Sequence, residues 1–252
     1  MELRFLGTGT STGVPQIGCN CDVCKSTNKK DQRLRTSALV SINGTNILID
    51  CGPDFRSQIL SCNSPHLDAV LITHSHYDHA GGLDDLRPYC KKIDFPLYCK
   101  ADVAQNIQQH IPYCFVRHPY PGVPSFKIHR INPNRSFKIG DIKVTPLPVM
   151  HYKLEILGFR INNFAYITDA RTISQKTINR IKGVDTLVIN ALRIEEHLSH
   201  FNLEQALDVI KAINPRIAYL THLCHQMGFH EDVEKTLPAN VKIAYDGLTI
   251  TI

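Results

Sequence analysis

His74-Ser75-His76-Tyr77-Asp78-His79 follows directly on the apolar run Asp68-Ala69-Val70-Leu71-Ile72-Thr73, so three imidazoles and a carboxylate stand on the loop that leaves a predicted strand. On a tight loop the spacing lets His74 and His76 turn onto one ion while Asp78 and His79 turn onto a second beside it. Imidazole suits zinc, manganese or iron, and the added carboxylate favours hydrolytic over electron-transfer chemistry. A merely His-rich surface loop is the competing reading, and residues further along the chain weigh against it.

Those residues are His151, Asp169 and His222, each just past a predicted strand: Ile142 to Val149, Phe164 to Thr168 and Arg216 to Thr221. Strand ends gather at one rim of a sheet, so positions far apart in sequence can converge there. One histidine at a strand end is more often a satisfied structural residue than a ligand. Three such positions together with the loop form a coherent set.

The HSHYDH motif, followed by a single His, a single Asp and a final His at strand ends, resembles the metallo-β-lactamase superfamily, and the likeness runs from Met1 to Ile252. The resemblance implies an α/β fold, an αββα sandwich with a dinuclear metal site along one sheet edge. It further implies that His74, His76 and His151 hold the first metal, that Asp78, His79 and His222 hold the second, and that Asp169 bridges them. An Asp at the bridging position looks unlike the true β-lactamases, which have a cysteine there, and like the phosphodiesterase and glyoxalase branches.

Three of the nine cysteines crowd into Cys19-Asn20-Cys21-Asp22-Val23-Cys24, a spacing that suits a structural zinc lacking one ligand. Ordinary buried cysteines are the alternative. In Thr221-His222-Leu223-Cys224-His225-Gln226, His225 is free to complete a Cys3His site, with Cys224 as the competing fourth ligand. A disulfide framework is not expected with an odd cysteine count and no signal peptide.

Ser199-His200-Phe201-Asn202-Leu203 precedes a helical pattern over Leu203 to Ile213 with Asn202 as N-cap. A phosphodiesterase needs a proton donor for its leaving oxygen, and imidazole is the usual one near neutral pH. His200 is the candidate and His197 the alternative; Asp78 joins His200 among the expected catalytic groups. Arg87 and Arg56 are candidate bidentate phosphate clamps, although most arginines are solvated surface groups.

Together, GTGTSTGVP, CNCDVC, HSHYDH, SHFNLEQAL and THLCHQ resemble the phosphoribosyl 1,2-cyclic phosphate phosphodiesterases of the carbon-phosphorus lyase pathway and their wider group. That likeness implies two catalytic divalent metals, zinc or manganese, one structural zinc, and a sugar or nucleotide phosphodiester, expected to be cyclic, attacked by a metal-bridging hydroxide. Gly82-Leu83-Asp84-Asp85-Leu86-Arg87 departs from it and is characteristic of the broader group, which leaves the substrate open. A tRNA 3′-processing endonuclease is the nearest rival, but no long basic Gly/Pro-rich arm is present. A non-catalytic metal-binding accessory protein of cofactor biosynthesis is the second, and it should lack ligands.

At 252 residues the chain can bury a full core, and a single domain over 1–252 is expected because a boundary would split the ligand set. The formal net charge of +5 agrees with an anionic substrate without requiring nucleic acid. No apolar run is long enough to span a membrane, and no leader is evident, so a cytoplasmic location is expected. Nucleic acid and a homodimer are left open as partners.

Hairpins are expected about Asn43-Gly44, Gly140-Asp141 and Asn162-Asn163, and a helix from Pro53 to Cys62. Ile47 to Thr73 and Ala165 to Asn190 share one plan, a strand ending in Asp50 or Asp169, then a helix, then a strand. Gly7-Thr8-Gly9-Thr10-Ser11-Thr12-Gly13 is one residue too long for a dinucleotide fingerprint and runs into Pro and cysteines instead of a helix; it is expected to line the substrate mouth. Ile111 to Pro124, with Tyr113, Phe115, His118 and Tyr120, is expected as a loop over the pocket.

Overall fold

The structure, a computed structural model, describes residues 1–91 and 93–252. Its strands are β1 Glu2–Gly7, β2 Ser37–Ile42, β3 Thr45–Ile49, β4 Ala69–Leu71, β5 Phe95–Cys99, β6 Phe126–Arg130 and β7 Phe137–Ile139. They continue as β8 Ile142–His151, β9 Leu154–Ile161, β10 Phe164–Ile167, β11 Thr186–Asn190, β12 Ile217–Thr221, β13 Val241–Ile243 and β14 Thr249–Thr251. The helices are α1 Asp22–Lys25, α2 Phe55–Leu60, α3 Tyr77–Ala80, α4 Ala101–His110, α5 Gln175–Ile181, α6 Leu203–Ile213 and α7 His230–Glu234.

Two sheets stack, one in the order β14-β1-β2-β3-β4-β5-β6 and the other β13-β12-β11-β10-β9-β8-β7. Period-2 alternation explains the layering. In β2, Ala38 and Val40 enter the core between the sheets while Leu39 turns outward; in β3, Ile47 and Ile49 go in and Leu48 out. The second sheet mirrors this, with Phe164, Tyr166, Val188 and Tyr219 inside and Ala165, Ile167, Leu187 and Leu220 under the helical layer. Strands buried on both faces need near-continuous apolar runs, and these have them. Ile59, Val103 and Ile107 cover one outer face, Ile181, Ala206 and Ile210 the other, giving the αββα sandwich.

The shared plan read from the sequence is present in space. β2 and β3 form an antiparallel hairpin with β4, β5 and β6 added in parallel. β9 and β10 form another, with β11, β12 and β13 added in parallel. Asp50 follows β3 and Asp169 lies just after β10, and both take left-handed backbone, φ 61 and φ 56. His222, just past β12, does the same at φ 57. Such conformations are costly for non-glycine residues and concentrate at functional sites.

The hairpin turns fall at Asn43-Gly44, Gly140-Asp141 and Asn162-Asn163, as expected. The Asn202 side chain accepts from Gln205 N, completing a capping box at the start of α6. Gly7 is glycine because a Cβ there would lie 2.0 Å from the Arg35 carbonyl oxygen. The loop that follows it braces β12: Leu223 N donates to the Thr8 carbonyl at 2.9 Å and Thr10 N to the Leu223 carbonyl at 3.0 Å.

Candidate metal centre

Two groups of ligand-type atoms lie along one edge of the sandwich, where β3, β4, β8, β10 and β12 end. His74, His76 and His151 form one; Asp78, His79, Asp169 and His222 form a second; in each, all donor atoms lie within 4.8 Å of one another. Asp169 joins the two, its carboxylate lying 3.9 Å from His74 Nε2 and 3.2 Å from His222 Nε2. The seven residues named from the sequence are therefore brought together, and His200 stands beside them with Nε2 3.2 Å from Asp169 Oδ2.

Outer hydrogen bonds fix which ring nitrogen faces inward. Thr73 Oγ1 donates to Asp50 Oδ2 at 2.9 Å, so it accepts from His74 Nδ1 at 3.0 Å. His74 Nε2 is then left bare, 3.0 Å from His76 Nδ1. His79 Nδ1 donates to Asp50 Oδ2 at 2.7 Å and turns Nε2 toward Asp78 and Asp169. His151 Nδ1 donates to the Ser199 carbonyl at 2.9 Å, again freeing Nε2.

The residues fit divalent cations. His79 Nε2 and both ring nitrogens of His222 are buried without a hydrogen-bond partner, an arrangement that is costly unless something else meets those lone pairs. Proton affinities point the same way. Burial works against the charge on Asp169, yet His222 and His79 outweigh it and hold the carboxyl well below its usual range. His222 is also opposed by burial, but Asp169 lifts it to about 9, and His79 rises well above its usual value for the same reason. Two buried carboxylates thus draw positive charge into the cluster, and metal binding would displace those protons. His74, by contrast, is kept neutral by burial, as a ligand must be.

Asp50 was not singled out as a site residue from the sequence. The signal was present in its place at the end of β3, matching Asp169 after β10, and its carboxylate serves His79 directly and His74 through Thr73.

His200 is buried, and burial pushes its pKa down to about 4. Ser199 Oγ lies 3.0 Å from His200 Nδ1 and 3.2 Å from His197 Nδ1, and the two Nδ1 atoms are themselves 3.1 Å apart, so the two candidate donors are in direct contact as well as sharing one hydroxyl. Only His200 reaches Asp169.

Cys19, Cys21, Cys24 and His225 form a third cluster with the same mutual spacing. Cys21 Sγ is 3.3 Å and Cys19 Sγ 3.7 Å from His225 Nδ1. The Cys24 backbone N–H bonds Cys21 and lowers its pKa to about 6, toward the thiolate that ligates. Cys224 lies outside this group and turns toward Gln226.

The two arginines are not brought to the His/Asp cluster. Arg87 Nη2 donates to both Asp84 carboxylate oxygens at 2.9 Å and Nη1 to the Gly122 carbonyl at 2.7 Å, so its fork is already engaged. Arg56 and Arg87 line a separate hollow with Asp84, Asp85 and Tyr89. The 111–124 segment rests on the same region, with Tyr113 Oη donating to Asp84 Oδ1 at 2.9 Å.

A family model described as a beta-lactamase superfamily domain matches residues 45–223. The fold superposes with a TM-score of 0.93 on the crystal structure of a diphosphatase from the PhnP family, at 34% identity, covering 100% of this chain and 97% of that one. The zinc-bound PqqB of Methylobacterium extorquens shares the fold at a TM-score of 0.82 and 21% identity, with all of both chains covered. An octanoyltransferase of Porphyromonas gingivalis is 43% identical over 254 residues, which cover all of this chain and 52% of that protein. The chain spans about half the length of the curated relatives it matches. No helix among the described residues is long and apolar enough to cross a membrane.

Proposed function

The chain belongs to the β-lactamase superfamily and, within it, to the PhnP family, and from that premise we propose that it is a metal-dependent phosphodiesterase acting on a small sugar or nucleotide phosphodiester, cyclic in its preferred form. The observation that carries the reading is the completeness of the donor set: His74, His76 and His151 beside Asp78, His79, Asp169 and His222, with inward nitrogens bared by Asp50, Thr73 and Ser199. An accessory protein that only sequesters metal would not need both clusters joined at Asp169.

Two divalent cations, zinc or manganese, would be held there and would activate water at neutral pH and neutralise charge on a phosphoryl oxygen. The chain's own groups do the rest. Asp78 and Asp169 set the net charge of the site, low enough to hold the cations and short of neutralising them, so that an anionic diester still binds. His200, at the edge of the cluster beside Asp169, donates the proton to the departing alkoxide; the anionic substrate raises its proton affinity from the resting value. Ser199 orients its ring through Nδ1. Cys19, Cys21, Cys24 and His225 would hold a structural zinc, which would tie the N-terminal loop to the segment leaving His222. The reading assigns no phosphate contact to Arg56 or Arg87. The diphosphatase of the same family is named for a reaction that also breaks a bond at phosphorus, which supports the reaction class. The octanoyltransferase name describes a protein about twice as long and supports no acyl-transfer role for the matching half.

The test is hydrolysis of bis(p-nitrophenyl) phosphate by protein reconstituted with Zn2+ or Mn2+, with His76→Ala as control. Turnover that disappears in the variant supports the reading. Full metal loading with no turnover of this or any cyclic phosphodiester overturns it.

A further inference from the structure

β8 ends in His151 and β9 begins at Leu154, and these two residues pair across a turn made only of Tyr152 and Lys153. Since β8 ends at the metal edge, the turn stands beside the first His cluster. Two contacts hold it there. Leu157 N donates to the Thr73 carbonyl at 3.1 Å, joining β9 to the residue before His74. Lys100 follows β5, which runs parallel to β4 and ends at the same side; its Nζ donates to the Glu155 carbonyl at 2.8 Å and to the Glu155 carboxylate at 3.3 Å. His76 is the exposed member of the cluster, and its ring centroid lies 5.1 Å from that of His151. The cluster therefore opens to solvent at the ring that His151 touches.

Tyrosine is a costly residue for this turn. Tyr152 has φ 54, and where the first residue of a two-residue hairpin takes a positive φ, glycine is the usual occupant. A bulky side chain in that conformation is an outlier, and such outliers cluster at functional sites. The ring gains little packing in return, since Tyr152 is 48% exposed. Lys153 Nζ lies 5.3 Å from the ring centroid, within cation–π range, and brings positive charge to the rim. The neighbours offer little to a sugar, because Leu154 is apolar and the Glu155 carboxylate is taken by Lys100. A nucleobase needs only an exposed ring on which to stack. At a half-open rim its edges stay in water, so no donor or acceptor is left unmet.

We propose that the Tyr152 ring is the platform on which the base of a nucleotide substrate stacks while its phosphodiester lies at the adjoining clusters. Lys153 draws the anion toward the same rim. Stacking uses the face of the base and not its edge, so the platform selects for a base without selecting among bases. The inference rests on the phosphodiesterase reading and narrows its substrate class from sugar or nucleotide diesters to nucleotide diesters.

Calorimetric titration of the zinc-loaded protein with adenosine 5′-monophosphate and with ribose 5-phosphate, which lacks the base, separates the two claims, alongside turnover of bis(p-nitrophenyl) phosphate. One stacked base is worth about 10-fold or more in affinity, and the nucleotide is expected to bind more tightly by that factor. In Tyr152→Gly, which suits the φ of the turn, the ratio should fall toward one with zinc content unchanged. Tyr152→Phe keeps the ring and should keep the ratio. Equal affinities in the parent protein, or binding of neither ligand, with turnover retained, overturn the platform and leave the phosphodiesterase reading standing. A ratio unchanged in Tyr152→Gly places the base elsewhere, and a ratio lost in Tyr152→Phe replaces stacking by a hydroxyl contact; either overturns the platform. Loss of zinc in Tyr152→Gly would assign the residue to holding His151 and overturn it too. Absence of turnover in the parent removes the reading on which the platform rests, whatever the affinities.

Discussion

The Asp50 carboxylate accepts from His79 Nδ1 at 2.7 Å with both side chains fully buried. The same carboxylate accepts from Thr73 N and Thr73 Oγ1, and Thr73 Oγ1 in turn orients His74. One buried acid therefore positions a donor in each cluster. Replacing such an outer partner typically lowers metal affinity 10- to 100-fold, and Asp50→Asn is expected to reduce affinity for both ions by about that factor. Thr73→Val should weaken chiefly the ion on the His74 side. Metal content after dialysis against a graded chelator series reads both effects; two ions held normally by Asp50→Asn would refute the positioning role.

At the third cluster the competition between His225 and Cys224 has a direct readout. Cys19 and Cys21 face His225 Nδ1, while Cys224 is turned to Gln226. His225→Ala and Cys24→Ser are each expected to lose one tightly bound zinc per chain, and Cys224→Ser to keep it. Because metal binding at a structural site is folding free energy, the first two should also melt earlier. Loss of zinc in Cys224→Ser with retention in His225→Ala would reverse the ligand assignment.

Much of this was legible because its signals are local. HSHYDH is contiguous, the hairpin turns are set by Asn43-Gly44 and its counterparts, and the α6 capping box is contained in Asn202 to Gln205. Asp50 was less visible: its bond to His79 spans 29 residues and depends on β3 and β4 pairing in parallel. The network around Arg33 is more remote still. Arg33 Nη1 donates to Thr8 Oγ1 and to the Ala244 carbonyl, and Thr8 Oγ1 donates to Asp246. No periodicity announces partners 211 residues apart. For Arg87 the clue is local: Asp84 sits three positions earlier and closes an i,i+3 ion pair that leaves the guanidinium occupied.

That network makes stability depend on pH. His230 packs against Arg33, with Asp31, Lys30 and Glu234 around it, and burial followed by the Arg33 charge pushes its pKa down to about 4. The unfolded chain takes up this proton near pH 6.5 and the folded chain only near 4, so stability present above pH 6.5 is lost as the pH falls between those values. Asp246, raised by burial to about 6, acts in the opposite sense but is common to parent and variant. His230→Gln is expected to flatten the acid limb of a urea-midpoint profile between pH 6.5 and 4; an identical slope in both proteins would exclude His230 as its source.

His200 and His197 share Ser199 Oγ, yet only His200 contacts Asp169, and this asymmetry predicts unequal losses. A proton donor contributes about 10²- to 10⁴-fold when the leaving oxygen is basic and little when it departs readily as an anion. His200→Ala is therefore expected to lower kcat by ~10²-fold or more on an alkyl-leaving diester, and by much less on bis(p-nitrophenyl) phosphate, with metal content unchanged. His197→Ala, which removes a neighbour of His200 that does not itself contact Asp169, should cost severalfold on both. The ratio of the two substrates' kcat values carries the argument, because a merely structural defect would lower both alike. A uniform loss in His200→Ala would assign that residue to holding the cluster together, and selective loss in His197→Ala would move the donor role to His197.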